Sequence, residues 1–162
     1  MAMKVKSSIK SARETPPPAE NLGREFSNAN VFFHEAIAAH LGMNAGEWRC
    51  YGLLKLHGPM TAGRLAELSG FTTGAITGIA DRLTKTGYVK RQPNPEDRRS
   101  LILHPLRLEE INAKTGPVFA SLEKAMSEVA KNFTGQELAA VMDYLRRTIE
   151  ALHEETMKLR KG

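Results

Sequence analysis

Between residues 61 and 104 the apolar residues of this chain change their spacing once, from every three or four positions to alternation, and the change falls on a glycine. Thr61 can cap a short helix through Ser69, in which Leu65, Ala66 and Leu68 face inward. Gly70-Phe71 makes a turn, and Thr72 or Thr73 caps a second helix through Thr86 with Ile76, Ile79, Ala80 and Leu83 on one stripe. Gly87 is suited to end that helix in a left-handed conformation. The β-prone segments Tyr88-Val89-Lys90-Arg91 and Ser100-Leu101-Ile102-Leu103 follow, separated by the turn formers Pro93-Asn94-Pro95-Glu96-Asp97. Two short helices joined tightly are a helix-turn-helix, and the hairpin after them is a wing. The fold class expected is therefore mainly α with a small β-hairpin, a winged helix-turn-helix flanked by further helices.

Those flanking helices are legible by the same spacing. From Ala19 the residues Leu22, Phe26, Ala29, Phe33, Ile37 and Leu41 mark one apolar face that ends at Gly42. Asn44 and Glu47 form a capping pair for a helix reaching about His57, which Gly58-Pro59 stops. Beyond Pro105, Phe119, Leu122, Met126, Val129 and Phe133 make one seam; Thr134 to Glu137 fits a capping box; Leu138, Val141, Leu145, Ile149 and Leu152 make another. The expected organisation is a flexible tail over residues 1–18 ending in three prolines, a dimerisation helix over 19–43, the winged region over 44–104 and dimerisation helices over 105–162.

Charge points to the same middle region. The chain carries +5 overall, and residues 44–104 hold nine basic against five acidic residues, whereas residues 105–162 are balanced. The middle is where a polyanion would dock. One cysteine, Cys50, excludes an intramolecular disulfide framework and fits a reducing cytoplasm. No apolar stretch approaches the roughly 18 residues needed to span a bilayer, and the basic stretch from Lys4 to Arg13 is not followed by a signal core. A soluble, cytoplasmic protein without membrane contact is expected. Nucleophile elbows, P-loops, dinucleotide fingerprints and paired metal ligands are missing from the sequence, so neither an enzyme, a metal site nor a cofactor is expected.

The stretch from Leu65 to Leu103, LAELSGFTTGAITGIADRLTKTGYVKRQPNPEDRRSLIL, resembles the core of the MarR family of transcription regulators. The paired helices, Leu83 and Gly87 at the helix exit, the Tyr88 to Arg91 strand and the Asp97-Arg98-Arg99-Ser100 wing occur in family order, and the flanking helices extend the likeness over roughly residues 20 to 155. One departure stands out: the second wing strand runs into Leu103-His104-Pro105-Leu106 where the family has a Leu-Thr dipeptide and a glycine.

In the second helix of the motif, the face opposite Ile76 holds Gly74, Gly78, Asp81 and Lys85, flanked by Ala75, Thr77 and Arg82, with no large apolar side chain. Small residues permit close approach to a major groove, and threonines can meet base edges or thymine methyls. Thr61, Thr72, Thr73, Gly74, Ala75 and Thr77 are assigned to that contact. The blander alternative, glycines that merely loosen an exposed helix, leaves a cost of about 1 kcal/mol each uncompensated. The resemblance implies that Arg82 and Arg98 grip phosphate, that Arg99 enters the minor groove and that Asp97 orients it.

The apolar seams of the flanking helices exceed what one small winged domain covers, so a homodimer on a pseudo-palindromic operator of double-stranded DNA is expected, with half-sites about 10 bp apart or a multiple of one turn. The resemblance further implies repression relieved by a small, often aromatic or anionic effector, for which His34, Trp48, Arg49 and Tyr51 are the candidate pocket, although such aromatics are more often core. Some members of that family sense oxidants through a thiolate, which makes Cys50 a candidate sensor, whereas a lone cysteine is usually a small buried hydrophobe. A winged helix used only for protein contact is the remaining alternative, distinguishable by a weak dependence on salt.

Overall fold

The structure, a computed structural model, describes residues 19–97 and 99–161. The expected tail over residues 1–18 and the wing residue Arg98 lie outside the described residues. The elements run α1 (Ala19–His40), α2 (Ala45–His57), β1 (Met60–Thr61), α3 (Ala62–Ser69), α4 (Thr73–Lys85), β2 (Val89–Pro93), β3 (Leu101–Pro105), α5 (Leu108–Ala130) and α6 (Gly135–Lys161). By its contacts the chain divides after Leu108 into two units.

The first unit is organised by local caps and closed by a shared core. Asn44 Oδ1 accepts the Glu47 N–H and Glu47 returns a carboxylate oxygen to the Asn44 N–H, both at 2.9 Å, so α2 starts with two of its free donors satisfied. Thr61 caps α3 and Thr72 caps α4 more simply, each hydroxyl oxygen accepting one backbone N–H, of Arg64 and of Ala75. Ile76, Ile79, Ala80 and Leu83 of α4 are buried with Leu65 of α3, Cys50, Tyr51 and Leu54 of α2, Ile37 of α1 and Leu41 just beyond it. Each large aliphatic side chain so buried contributes about 1.5–3 kcal/mol relative to exposure. Two tyrosines tie the ends of elements together: Tyr88 donates its hydroxyl to the Leu41 carbonyl at 2.8 Å, Tyr51 donates to the Leu106 carbonyl at 2.6 Å, and their rings meet edge-on. Among the described residues no buried side-chain polar atom lacks a partner.

The sheet has three strands rather than the two of a simple hairpin, in the order β1-β3-β2 and antiparallel throughout. β1 escaped the sequence reading because it is two residues long, with Met60 opposite Leu103 and Thr61 opposite Ile102; so short a segment has no period. The wing strands also reach two residues further than expected, to Pro93 and Pro105. Both prolines sit at strand ends, where the amide they lack costs the ladder little.

The segment that departs from the family pattern resolves into a turn without glycine. Arg107 adopts φ 56°, the left-handed region that costs a non-glycine residue roughly 1–2 kcal/mol. Its guanidinium lies 5.1 Å from the centre of the Tyr88 ring, a cation–π contact that offsets part of that cost. Gly87, at φ 75°, gives it room: a Cβ there would stand 3.1 Å from Arg107 Nη2.

The second unit contains two long helices. Thr134 and Glu137 form the expected capping box at the start of α6, with the Thr134 N–H donating to the carboxylate at 2.7 Å. That hydrogen bonding holds the Glu137 carboxyl below its usual range. On α5 only Ile111 and Thr115 are buried, and none of the described side chains of α6 is. Among the described residues no helix is long and apolar enough to cross a membrane.

Candidate nucleic-acid interface

The turn between α3 and α4 is built from two positions. Gly70 ends α3 at φ 76°, its N–H donating to the Ala66 carbonyl at 2.9 Å. Ser69 Oγ then accepts the Phe71 N–H at 3.2 Å, so the backbone reverses with its donors satisfied before Thr72 caps α4. Burying the Ile76, Ile79, Ala80 and Leu83 stripe turns Thr73, Gly74, Ala75, Thr77, Asp81 and Lys85 outward. A Cβ at Gly74 would meet nothing within 4 Å, so no packing within the chain requires glycine there. Thr77, which is exposed, donates its hydroxyl proton to the Thr73 carbonyl at 3.0 Å, which leaves its oxygen as an acceptor.

The wing tip is fixed by its own polar side chains. Asp97 accepts the Arg99 N–H at 3.0 Å through its carboxylate and the Ser100 N–H at 3.0 Å through its carbonyl. Asn94 Nδ2 donates to Ser100 Oγ at 2.9 Å, and Asn94 Oδ1 accepts the Glu96 N–H at 3.1 Å. Asp97 therefore shapes the backbone beneath Arg99, whose side chain is exposed, and the hydrogen bond it makes is to the amide of Arg99. Asn94 and Ser100 were missed as supports, although Asn before Pro and Asp followed three residues on by Ser are local turn signals.

Two carboxylates that would repel a polyanion are paired with arginines. Asp81, on the outward face of α4, lies 2.7 Å from Arg91 of β2, which ties the wing to the helix. Glu47 accepts from Nε of Arg82, joining α4 to the start of α2. Arg82, expected to grip phosphate, is thus anchored at one nitrogen and half exposed. Nothing local reveals this pair, because 35 residues separate its members. Between the wing, α3 and α4 lies a groove of 540 Å³ bordered by Thr61, Thr77, Arg91, Asn94, Asp97 and Arg99. It brings residues of the sequence-derived set together from three elements.

A second hollow, of 610 Å³, opens between α1 and α2 beside the turn before α4. His34, Trp48 and Arg49 line it together with Phe71. Trp48 Nε1 donates to His34 Nδ1 at 3.3 Å, and the Arg49 guanidinium lies 5.6 Å from the centre of the Phe71 ring. Tyr51 does not join them. It is fully buried and hydrogen-bonded to Leu106, so its place in the candidate pocket is corrected to the core, where an aromatic ring that finds a partner for its hydroxyl belongs. Cys50 is also fully buried, and burial pushes its thiol up to about 11, against smaller opposing effects from Arg49 and a Ser69 hydrogen bond. Burial and a raised thiol pKa both lower the thiolate fraction on which the oxidant-sensor alternative would depend.

A turn-linked helix pair with a three-stranded wing, an outward helix face of small and hydroxylic residues and a cationic wing tip defines the winged helix-turn-helix class. The MarR family model matches residues 43–101. An uncharacterised HTH-type transcriptional regulator of Bacillus subtilis (strain 168), YcgE, is 31% identical over 151 residues, covering 93% of this chain and 97% of the relative. The multiple antibiotic resistance protein MarR of Salmonella typhimurium is 25% identical over 114 residues, 67% of this chain and 74% of that protein. The crystal structure of a mutant MarR from E. coli complexed with operator DNA is similar in fold, with a TM-score of 0.60 at 21% identity, covering 82% of this chain and 94% of that one. The chain belongs to the MarR family.

Proposed function

We propose that this protein is a transcription regulator that binds a pseudo-palindromic operator as a homodimer, most simply as a repressor. The outward face of α4 carries the proposal: it presents Thr73, Gly74, Ala75 and Thr77 with no large apolar side chain, next to a wing that exposes Arg99. Such a face admits a base edge closely, and a guanidinium on a narrow hairpin suits a narrow minor groove. The exposed seams on α5 and α6 support pairing of two copies.

Selection of bound fragments from random duplex DNA, followed by a titration of the selected site, tests this reading. Sites with two-fold symmetry and half-sites about 10 bp apart, or a multiple of one helical turn, are expected. Arg99→Ala should weaken binding roughly tenfold or more while leaving the unfolding midpoint in place. Binding should also fall steeply as salt rises; a flat salt response would instead favour a winged helix used for protein contact.

A small-molecule reading is favoured by one observation. The hollow lined by His34, Trp48 and Arg49 also includes Phe71, the residue before the α4 cap Thr72, so a ligand seated there would press on the start of α4. An aromatic anion would meet a guanidinium and ring faces together. It would release DNA only by binding the two conformations unequally, so its affinity should fall when operator is present.

A further inference from the structure

We infer that Glu47 is a positioning residue for the guanidinium of Arg82, holding it ready for a DNA phosphate. This rests on the DNA-binding reading above. The Glu47 carboxylate divides its two oxygens between two tasks: Oε2 accepts the Asn44 N–H at 2.9 Å, and Oε1 accepts from Arg82 Nε. Its own amide is held by Asn44 Oδ1 at 2.9 Å, and the residue is only 8% exposed. The carboxylate is therefore fixed from the α2 side before it meets the arginine.

The consequence for Arg82 follows from guanidinium geometry. Anchoring at Nε uses one donor of a planar fork and leaves the two terminal nitrogens as the edge available to an anion. Nη1 lies 3.6 Å from where a Cβ on Gly78 would stand, so the group is laid along the outer side of α4, over a position without a side chain. The Arg82 side chain remains 55% exposed, which a purely internal ion pair would not leave. An arginine already set in one arrangement loses less freedom when it meets phosphate. A carboxylate beside a phosphate site would otherwise weaken binding, so the two roles predict opposite signs on its removal.

The test is a cycle of Glu47→Gln and Arg82→Ala, read as affinity for the selected operator across a salt series, with the folded fraction checked by unfolding. Glutamine keeps one acceptor oxygen for the α2 cap and loses the charge that holds Arg82. Glu47→Gln is expected to weaken binding about threefold to tenfold, the scale of ordering one long side chain, and to lower the salt slope by up to about 1, as losing one phosphate contact would. In the Arg82→Ala background the same change should alter affinity less than about twofold. Tighter binding by Glu47→Gln would mark Glu47 as a competitor of phosphate and overturn the inference, as would an equal loss in both backgrounds, which would mean a structural role alone. If Arg82→Ala itself leaves affinity and slope unchanged, the phosphate contact is wrong and the inference falls with it. If the wild type binds no duplex at all, the DNA-binding reading fails first. Should Glu47→Gln not fold, Glu47→Asp, which keeps charge and cap but falls short of Arg82, takes its place in the cycle.

Discussion

The core of the first unit and the helices of the second spend their apolar residues in opposite ways. In the core, Tyr51, Leu54, Leu65, Ile76 and Leu83 are all but inaccessible, and the Glu47 and Asp81 carboxylates beside α4 are paired with arginines. In the second, Phe119, Leu122, Met126 and Val129 of α5 are 38–57% exposed, and Leu145, Ile149 and Leu152 of α6 are 39–62% exposed, at the spacing of a buried seam. The core built by α2, α3, α4 and the sheet closes within one chain, whereas the first part of α1 leaves Leu22, Phe26 and Phe32 65–66% exposed. The second unit leaves its seams open, as the proposed pairing of two copies would require.

The contrast can be broken most forcefully from the core side. Ile76→Ala empties a fully buried position at the centre of α4 and should cost about 2–5 kcal/mol, read from urea unfolding; a cost below about 1 kcal/mol would mean the core is not closed as described. On the open side, Leu145→Glu with Ile149→Glu should raise the dimer dissociation constant at least about a hundredfold by placing like charges against an apolar partner. Sedimentation should then find monomers that hold a single half-site as before and lose the two-fold site.

Smaller changes sharpen the comparison within the first unit. Gly74→Ala adds a methyl group that meets nothing in the chain, so stability should rise by at most about 1 kcal/mol while operator affinity falls. A rise in both would show that the glycine only loosens the helix. The Cys50 thiol gives the smallest effect. Because its folded value is raised to about 11 from 9.0, the unfolded chain releases a proton over that range while the folded chain keeps it. The stability it contributes is complete below about pH 9 and is lost as pH rises through about 11. Urea unfolding near pH 8 and pH 10.5 should therefore show a larger alkaline loss for wild type than for Cys50→Ala, and equal losses would refute the buried thiol.

What could be read beforehand follows from distance along the chain. The caps at Asn44, Thr61, Thr72 and Thr134 are legible because donor and acceptor lie three residues apart, and the α4 stripe is legible because helical period is local. β1 was hidden since its partners lie some forty residues downstream. The pairing of Arg82 with Glu47 and of Arg91 with Asp81 was hidden for the same reason, although each residue had been noticed for something else. Tyr51 misled because a polar-tipped aromatic suits a pocket wall and a core equally well, and only the Leu106 carbonyl decides between them. Asp97 was read as orienting Arg99, and the hydrogen bond from the Arg99 amide to its carboxylate is the kind an aspartate at a tight turn makes.

Asn94, Asp97 and Ser100 join the two sides of the wing through hydrogen bonds, and this bears on the selectivity of the proposed DNA contact. A tip cross-linked in this way would adapt its breadth to a groove less than an open loop would. The strain of a poor match must then be borne by the duplex, and stiff or narrow tracts will bear it differently from supple ones. Sequence outside the bases that α4 can touch would be discriminated by its mechanics alone.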